Sequence, residues 1–260
     1  MSRAAQNLLL VLIGAGVLWM TLGSGEYVNY VRPGFRYLLA PAAVALLALG
    51  AAGLRREWHD ASTDRHADTV HPHGADAGAD HGADHGHDHS RGPRVAWLLC
   101  LPVLALFLIA PPALGSFTAS RDAGRAAPPP AEPSGGFRPL PRTSAPVPMS
   151  MGEFIGRGFQ AQTGDPATFQ GVPVRLTGFA APALKGEGGW RIVRLKIACC
   201  AGDAIPFPVT VRGLPRPPAD TWVQVEGVWK PPAAGRATTV VQELRGRSLR
   251  KIKKPRNPYE

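Results

Sequence analysis

Three long stretches without a charged side chain limit the architectures open to this chain. They cover residues 4–25, 37–54 and 95–120. A helix that crosses the hydrocarbon core of a bilayer needs about 20 consecutive apolar residues, and the second stretch lies at the short end of that range. Buried helices of a soluble protein are the alternative, but three such stretches so close together favour membrane spans. We therefore predict a transmembrane region over residues 1–120, with three helices that cross the cell membrane.

The first stretch also has features of a cleaved signal peptide. Arg3 precedes it and small residues follow it. Its apolar part is longer than the usual core of a signal peptide, however, and two further stretches follow. This favours a helix that is retained in the mature protein.

The basic residues next to the stretches predict how a multi-pass chain is oriented, because cytoplasmic flanks carry an excess of Lys and Arg. Five arginines fall on one side, namely Arg3, Arg55, Arg56, Arg91 and Arg94. Four fall on the other side, namely Arg32, Arg36, Arg121 and Arg125. The excess predicts a cytoplasmic amino terminus and an extracytoplasmic carboxyl-terminal half.

The carboxyl-terminal half has a different composition. Residues 121–148 are rich in proline, which favours an extended linker over a packed core. Short β-like runs between Gly and Pro follow, with a helix predicted near residues 151–159. The predicted strands cover residues 172–179, 190–200, 205–212, 221–229 and 238–244. We predict an all-β domain over residues 149–260, folded as a small OB-like barrel.

The loop of residues 59–89 contains all eight histidines of the chain. Between Gly74 and His89 it repeats a four-residue unit, GADA, GADH, GADH and GHDH. Flexible imidazoles and carboxylates can bind zinc or another transition metal at several places, with an affinity that falls as protons compete near the imidazole pKa of about 6.5. A low-complexity polar spacer is the alternative interpretation. The predicted ligands are His71, His73, His81, His85, His87 and His89.

The run KIACCAGD contains a second candidate site at Cys199 and Cys200. Alternation along the predicted strand directs Cys199 toward the core and Cys200 toward solvent, where the basic neighbours would lower its pKa and make it the more reactive thiol. Adjacent Cα atoms lie about 3.8 Å apart, below the usual disulfide range of roughly 4.4–6.8 Å, so two free thiols are expected. With Asp203 nearby, they could bind a soft ion, in a site that a partner completes. Alternatively, Cys199 is a small core residue.

Other features argue against several function classes. The chain shows no phosphate loop, serine–histidine arrangement or paired catalytic carboxylates, so it is not expected to be an enzyme. Its formal net charge is +10, and residues 245–256 are strongly basic. We expect this segment to be a solvated end, or else to contact lipid headgroups or an acidic partner. Nucleic acid fits poorly, because few aromatic residues interleave the charges.

Several segments resemble the YcgQ-like family of bacterial membrane proteins, to which a role as a subunit of two-component permeases is ascribed. The similarity covers essentially the full length and is carried by EYVNYVRPGFRYLL, the histidine-rich loop, PPALGS, IACCAGDA, WVQVEGVW and the closing NPYE. The resemblance implies a small β domain beside the membrane and a multi-spanning permease as partner. It also implies that Cys199, Cys200 and Asp203 are the best site residues.

Two function classes remain open from the sequence. The first is an accessory membrane subunit of a permease, for a metal or metalloid ion. The second is a stand-alone membrane protein that buffers metal or senses redox state through the loop and the thiols. Three spans with so few polar residues cannot easily line a transport path alone, which favours the accessory subunit.

Overall fold

The computed structural model of the protein describes residues 3–67, 113–121, 136–141, 143–184, 186–232 and 241–260. It divides into two compact units. Residues 1–27 and 34–111 form the first, while residues 28–33 and 112–260 form the second. The six predicted histidine ligands and most of the third apolar stretch lie outside the described residues.

The first unit contains two long apolar helices. Helix α1 (Arg3–Leu18) continues as one π-helical turn (Trp19–Gly23), and helix α2 covers Arg36–Ala67. Two helical segments, Arg3–Gly23 and Pro33–His59, are long and apolar enough to cross a membrane. They correspond to the first two predicted spans, whereas the third predicted span falls largely outside the described residues.

Small residues bring α1 and α2 into close contact. A Cβ added at Gly14 would lie 2.9 Å from the Ala43 carbonyl oxygen, and one at Gly50 would lie 2.8 Å from Val11 Cγ2. Small residues of this kind allow the backbones of membrane helices to approach each other. Large apolar side chains remain exposed on both helices, among them Leu8, Leu12, Trp19, Leu22, Tyr37, Leu38, Val44, Leu49 and Trp58. The two helices therefore present large apolar side chains on their outer faces.

The second unit is built on a five-stranded β-barrel. Its elements are α3 (Ser116–Arg121), β1 (Val147–Pro148), α4 (Met151–Thr163), β2 (Pro173–Ala181), β3 (Trp190–Lys196), β4 (Ile205–Arg212), β5 (Trp222–Lys230) and β6 (Gln242–Lys251). The strand order is β1-β2-β3-β4-β6-β5, and the pairing of β2 with β5 closes the barrel. Strands β4 and β6 are parallel, β1 adds to β2 in parallel, and the other pairs are antiparallel.

Strands β2, β4 and β5 coincide with predicted strands to within two residues, β3 ends earlier than predicted, and β6 shares only residues 242–244 with the predicted strand 238–244. In β5 the side chains of Val223, Val225 and Trp229 are buried, while their neighbours are partly exposed, as a half-buried strand requires. Strand β3 ends at Lys196, earlier than predicted, because the chain turns there. Strand β6 extends to Lys251, so half of the basic segment expected to be a solvated end belongs to the sheet.

The barrel core includes an aromatic cluster under α4. The ring centroids of Phe154 and Phe169 lie 5.3 Å apart, and those of Phe169 and Trp229 lie 5.7 Å apart. Trp229 Nε1 donates to Oε1 of Gln242, which is only 1% exposed, at 2.9 Å. This hydrogen bond matters because a buried amide oxygen without one lowers the stability of the fold by about 1–3 kcal/mol. The core therefore fixes α4 across one end of the barrel.

The last residue, Glu260, caps this helix. Its carboxylate oxygens accept hydrogen bonds from the backbone N–H groups of Met151 (2.5 Å) and Gly152 (3.0 Å). The first N–H groups of a helix have no partner within it, and a negative charge there is stabilising. The backbone N–H of Glu260 also donates to the Leu195 carbonyl at 2.9 Å. The chain end is thus fixed between α4 and β3.

Tyr259 connects three parts of the second unit. Its ring is buried, and its hydroxyl donates to the Asn29 carbonyl at 2.7 Å. The same oxygen accepts a hydrogen bond from the backbone N–H of Leu114 at 3.2 Å. Residues 28–33 precede α2 and residues 113–121 contain the end of the third apolar stretch, so one hydroxyl holds both segments against the barrel.

We expect Tyr259→Phe to lower the free energy of unfolding by about 1–3 kcal/mol, because it leaves two backbone groups without their partner. Urea unfolding of the full-length protein in micelles, followed by near-UV circular dichroism, measures the change. The exposed neighbour Arg256 serves as control, since Arg256→Ala removes no hydrogen bond of this kind. Equal stability of Tyr259→Phe and the unmodified protein would show that the hydroxyl contributes nothing.

Candidate metal site

The two cysteines lie on a turn that Asp203 organises. Strand β3 ends at Lys196, and a short 3-10 turn over Ala201–Asp203 leads into β4. One oxygen of the Asp203 carboxylate accepts from the backbone N–H of Ala198 (2.9 Å). The other accepts from the N–H groups of Cys199 (2.7 Å) and Cys200 (3.4 Å). One side chain therefore fixes three successive amides in the segment that we call the thiol turn, residues 198–203.

The predicted orientation of the two thiols is wrong. Cys199, expected in the core, is exposed, and Cys200 is half-buried. The strand has already ended at Lys196, so the alternation of faces does not extend to the cysteines. Both thiols are free, in agreement with the prediction from Cα spacing.

The charged group beside Cys199 is the carboxylate of Asp203. The Cys199 thiol donates a hydrogen bond to the Asp203 carboxylate, and this, with a smaller effect of Cys200, raises the pKa of Cys199 to about 11. The hydrogen bond from the same thiol has the largest effect on Asp203. Together with the smaller effects of the Cys199 and Ala198 amides, it lowers the pKa of Asp203 to about 2. At neutral pH an ionised carboxylate thus lies beside a protonated thiol.

The basic residues of β3 are engaged away from the thiol turn. The Arg194 guanidinium donates to the Asn257 carbonyl at 2.8 Å and lies 5.5 Å from the centroid of the Trp222 ring. Lys196 Nζ lies 5.7 Å from the centroid of the Phe207 ring. The charged group in contact with Cys199 is instead Asp203, which explains why the pKa of this thiol rises.

The thiol turn pairs with residues 28–33, a segment that strand prediction did not include. The links are a bridge between Val31 and Cys200, a hydrogen bond from Arg32 N to Cys199 O (3.1 Å) and one from Ala201 N to Tyr30 O (2.6 Å). In the sequence, only the family resemblance carried by EYVNYVRPGFRYLL pointed to this segment, and the resemblance did not predict its contact with the cysteines. The thiol turn is therefore anchored on both sides, by Asp203 and by this segment.

The geometry brings three donors together. The sulfurs of Cys199 and Cys200 and a carboxylate oxygen of Asp203 all lie within 4.8 Å of one another. With Zn–S bonds of about 2.3 Å, two sulfurs on a tetrahedral zinc ion lie about 3.8 Å apart, which a small rotation of an exposed thiol can provide. No histidine occurs after His89, so the domain offers no imidazole.

These donors fit a soft ion better than a hard one. The Asp203 oxygens already accept amide hydrogen bonds, so the thiols are the principal donors and the carboxylate is chiefly a positioning group. Thiolates select soft and borderline ions, and binding displaces the thiol protons. Two sulfurs and one carboxylate leave a tetrahedral ion one ligand short.

A separate groove of about 870 Å³ lies beside α4, lined by residues 137–141 and 164–173 among others. Its buried Arg157 is already paired with Glu153 at 2.7 Å and donates to the Arg138 carbonyl at 2.8 Å. Its lining contains no cysteine. We therefore assign the candidate metal site to the thiol turn.

Replacing Asp203 by Asn should speed the alkylation of Cys199 more than tenfold at pH 8. Without the carboxylate, the pKa falls from about 11 toward the ordinary 9.0, and the thiolate is the reacting form. Mass spectrometry after timed treatment with iodoacetamide measures the rate at each cysteine. Asp165→Asn is the matched control, because Asp165 also accepts a turn amide, that of Ala167, at 2.9 Å. An unchanged rate in Asp203→Asn would contradict the assigned cause.

Comparison with known proteins identifies the two halves of the chain. Residues 8–123 match the DUF1980 N-terminal domain, and residues 158–260 match the DUF1980 C-terminal domain. Among proteins of curated function and among solved structures, none matches the chain. The chain is thus a member of the DUF1980 family that carries both its N-terminal and its C-terminal domain.

Proposed function

We propose that the protein is an accessory membrane subunit of a permease for a metal or metalloid ion, which binds at Cys199 and Cys200. The observation that carries the proposal is the backbone pairing of the thiol turn with residues 28–33. These residues join the two helices that are long and apolar enough to cross a membrane. An ion on the thiols would be held beside the chain where it leaves the bilayer. The resemblance to the YcgQ-like family supports a multi-spanning permease as partner.

The exposure of the thiols supports transfer of the ion to a partner. Cys199 is exposed and Cys200 half-buried, so a second protein can reach both sulfurs. A fourth ligand from the permease would complete a tetrahedral site across the interface. A buffering protein would gain nothing from an incomplete site.

The stand-alone redox-sensing alternative has less support. A sensor thiol reacts as the thiolate and therefore needs a low pKa. The Asp203 carboxylate instead raises the pKa of Cys199 to about 11.

The strand order supports the assignment of the barrel to the OB-like class. The first and fourth barrel strands, β2 and β5, close the barrel. The third and fifth, β4 and β6, run parallel. Proteins with such barrels commonly bind ligands through their faces and loops.

The connection through residues 28–33 also supports a three-span arrangement. These residues belong to the same compact unit as the barrel. If α1 and α2 cross the membrane, residues 28–33 lie on the side where the two helices are joined, and α2 ends on the other side. The chain must then cross back before residue 113, and the apolar stretch of residues 95–120 can provide that span. The excess of arginine favours a cytoplasmic histidine-rich loop, which would collect zinc or another transition metal there.

The double variant Cys199→Ser/Cys200→Ser should lose binding of phenylarsine oxide, a reagent for paired thiols, and should fail to restore the metal phenotype of a deletion strain. The serine hydroxyls keep the shape of the turn but are poor ligands for soft ions. Cys100→Ser, in the third apolar stretch, is the control and should behave as the unmodified protein. Full complementation by the double variant, at equal amounts of protein in the membrane, would show that the function does not need the two thiols.

Labelling of single cysteines from one side of the membrane tests the arrangement of spans. Cys200 is the only thiol left in the variant Cys100→Ser/Cys199→Ser, and it should react with an impermeant maleimide added to spheroplasts. In a protein whose three native cysteines are all replaced by serine, Arg32→Cys should react in the same way. Ala77→Cys in that protein, within the histidine-rich loop, should react only after lysis. Labelling of positions 32 and 77 from the same side would contradict the arrangement.

A further inference from the structure

A second feature of the barrel domain is a basic surface formed by Lys251, Lys253, Lys254 and Arg256. All four side chains are exposed. No acidic residue lies between Glu243 and Glu260 along the chain. The four cations fall within the six positions 251–256, so this end of the domain carries a high local density of positive charge.

Several cations elsewhere in the domain have carboxylate partners. The ion pairs are Arg157–Glu153, Arg175–Glu226, Arg191–Glu187, Arg212–Glu243 and Lys230–Glu243. Among the described residues, no ion pair involves the four cations of the basic surface. Lys254 donates only to a neutral group, Oδ1 of Asn29, at 3.2 Å. These four charges have no carboxylate partner among the described residues, so they can interact with an anionic group from outside that part of the chain.

Two contacts place the basic surface next to the segment that connects the apolar helices. The Lys254–Asn29 hydrogen bond and the Tyr259–Asn29 hydrogen bond hold it against residues 28–33. The Tyr259 hydroxyl also binds Leu114, near the end of the third apolar stretch. In the segment that follows, Phe117 is 72% exposed, with the Arg121 guanidinium 5.9 Å from its ring centroid.

We infer that the basic surface of residues 251–256 docks on anionic lipid headgroups, and this rests on the membrane part of the proposed function. A negatively charged membrane surface attracts cations only within about a Debye length, roughly 8 Å at physiological salt. The contacts with residues 28–33 provide that proximity. An acidic protein could also pair with these cations. Binding to such a protein would not, however, require the cations to lie beside the connection between the two apolar helices. Headgroup binding fixes the orientation of the barrel, and with it the direction in which the thiol turn faces.

The full-length protein in lipid nanodiscs allows the inference to be tested. One set contains only phosphatidylcholine, and the other contains phosphatidylglycerol as well. Headgroup binding to the folded domain should raise its unfolding midpoint in the second set, and high salt should abolish the rise. Lys253→Glu/Arg256→Glu should remove most of the lipid dependence.

The control variant makes the same charge change at the other end of β6. Arg245 and Arg247 are both exposed and lie outside the basic surface. They precede Lys251 by six and four positions of strand, about 20 Å and about 13 Å, so both separations exceed the Debye length of roughly 8 Å. Arg245→Glu/Arg247→Glu should therefore keep the lipid dependence of the unmodified protein.

Two outcomes overturn the inference. One is an equal midpoint of the unmodified protein in both lipid sets, which is what binding to an acidic protein alone would give. The other is an equal lipid dependence of the two charge variants. Failure of the proposed function is distinguishable, because it would appear as extraction of the protein from membranes by carbonate, or as full complementation by the double serine variant.

Discussion

The backbone pairing between residues 28–33 and the thiol turn is the constraint on which the functional geometry depends. A turn of small residues, Ala198 to Gly202, has little side-chain packing to hold it in place. The hydrogen bonds of Arg32 and Tyr30 with Cys199 and Ala201, on either side of the bridge between Val31 and Cys200, hold it instead. Because this partner is the connection between α1 and α2, a displacement of residues 28–33 would move the sulfurs. An ion bound to the sulfurs would in turn restrict that connection.

Asp203 has two effects on the site, and they act in opposite directions. Its hydrogen bonds to three amides hold the two cysteines in place, which favours ion binding by reducing the reorganisation required. Its charge raises the pKa of Cys199, which disfavours the thiolate in the absence of an ion. An incoming cation removes this penalty, since it displaces the thiol proton and the carboxylate then stabilises the positive charge. Asp203 thus keeps the Cys199 thiol protonated, and in the proposed function only a cation that competes well for sulfur would displace this proton.

The carboxyl terminus performs a structural task that its position in the chain does not suggest. Glu260 caps α4, while Tyr259 joins residues 28–33 and Leu114 to the barrel. The basic surface of residues 251–256 closely precedes these two residues, so the contacts that close the domain also determine where its positive charge lies. A change at Tyr259 would therefore affect stability, the thiol turn and the basic surface together.

The amino-acid sequence alone determined the elements of this protein, because their signals are local. Uninterrupted apolar stretches predicted α1 and α2, and period-two alternation between Gly and Pro predicted the five barrel strands. The spacing of adjacent Cα atoms was enough to predict two free thiols. The candidate residues Cys199, Cys200 and Asp203 were also identified from their proximity in the chain. What failed was the orientation of Cys199, since alternation holds only while a strand continues.

The tertiary structure decided where these elements meet. The contacts of Asn29 with Lys254 and Tyr259 join residues more than 220 positions apart. No periodicity along the chain encodes such pairs, because each depends on how the barrel closes and where its last strand ends. The same is true of the charge beside Cys199: the basic residues nearest in sequence turn toward Trp222 and Phe207, and Asp203 turns back to the thiol. Local sequence supplied the donors of the site, and the fold alone determined their surroundings.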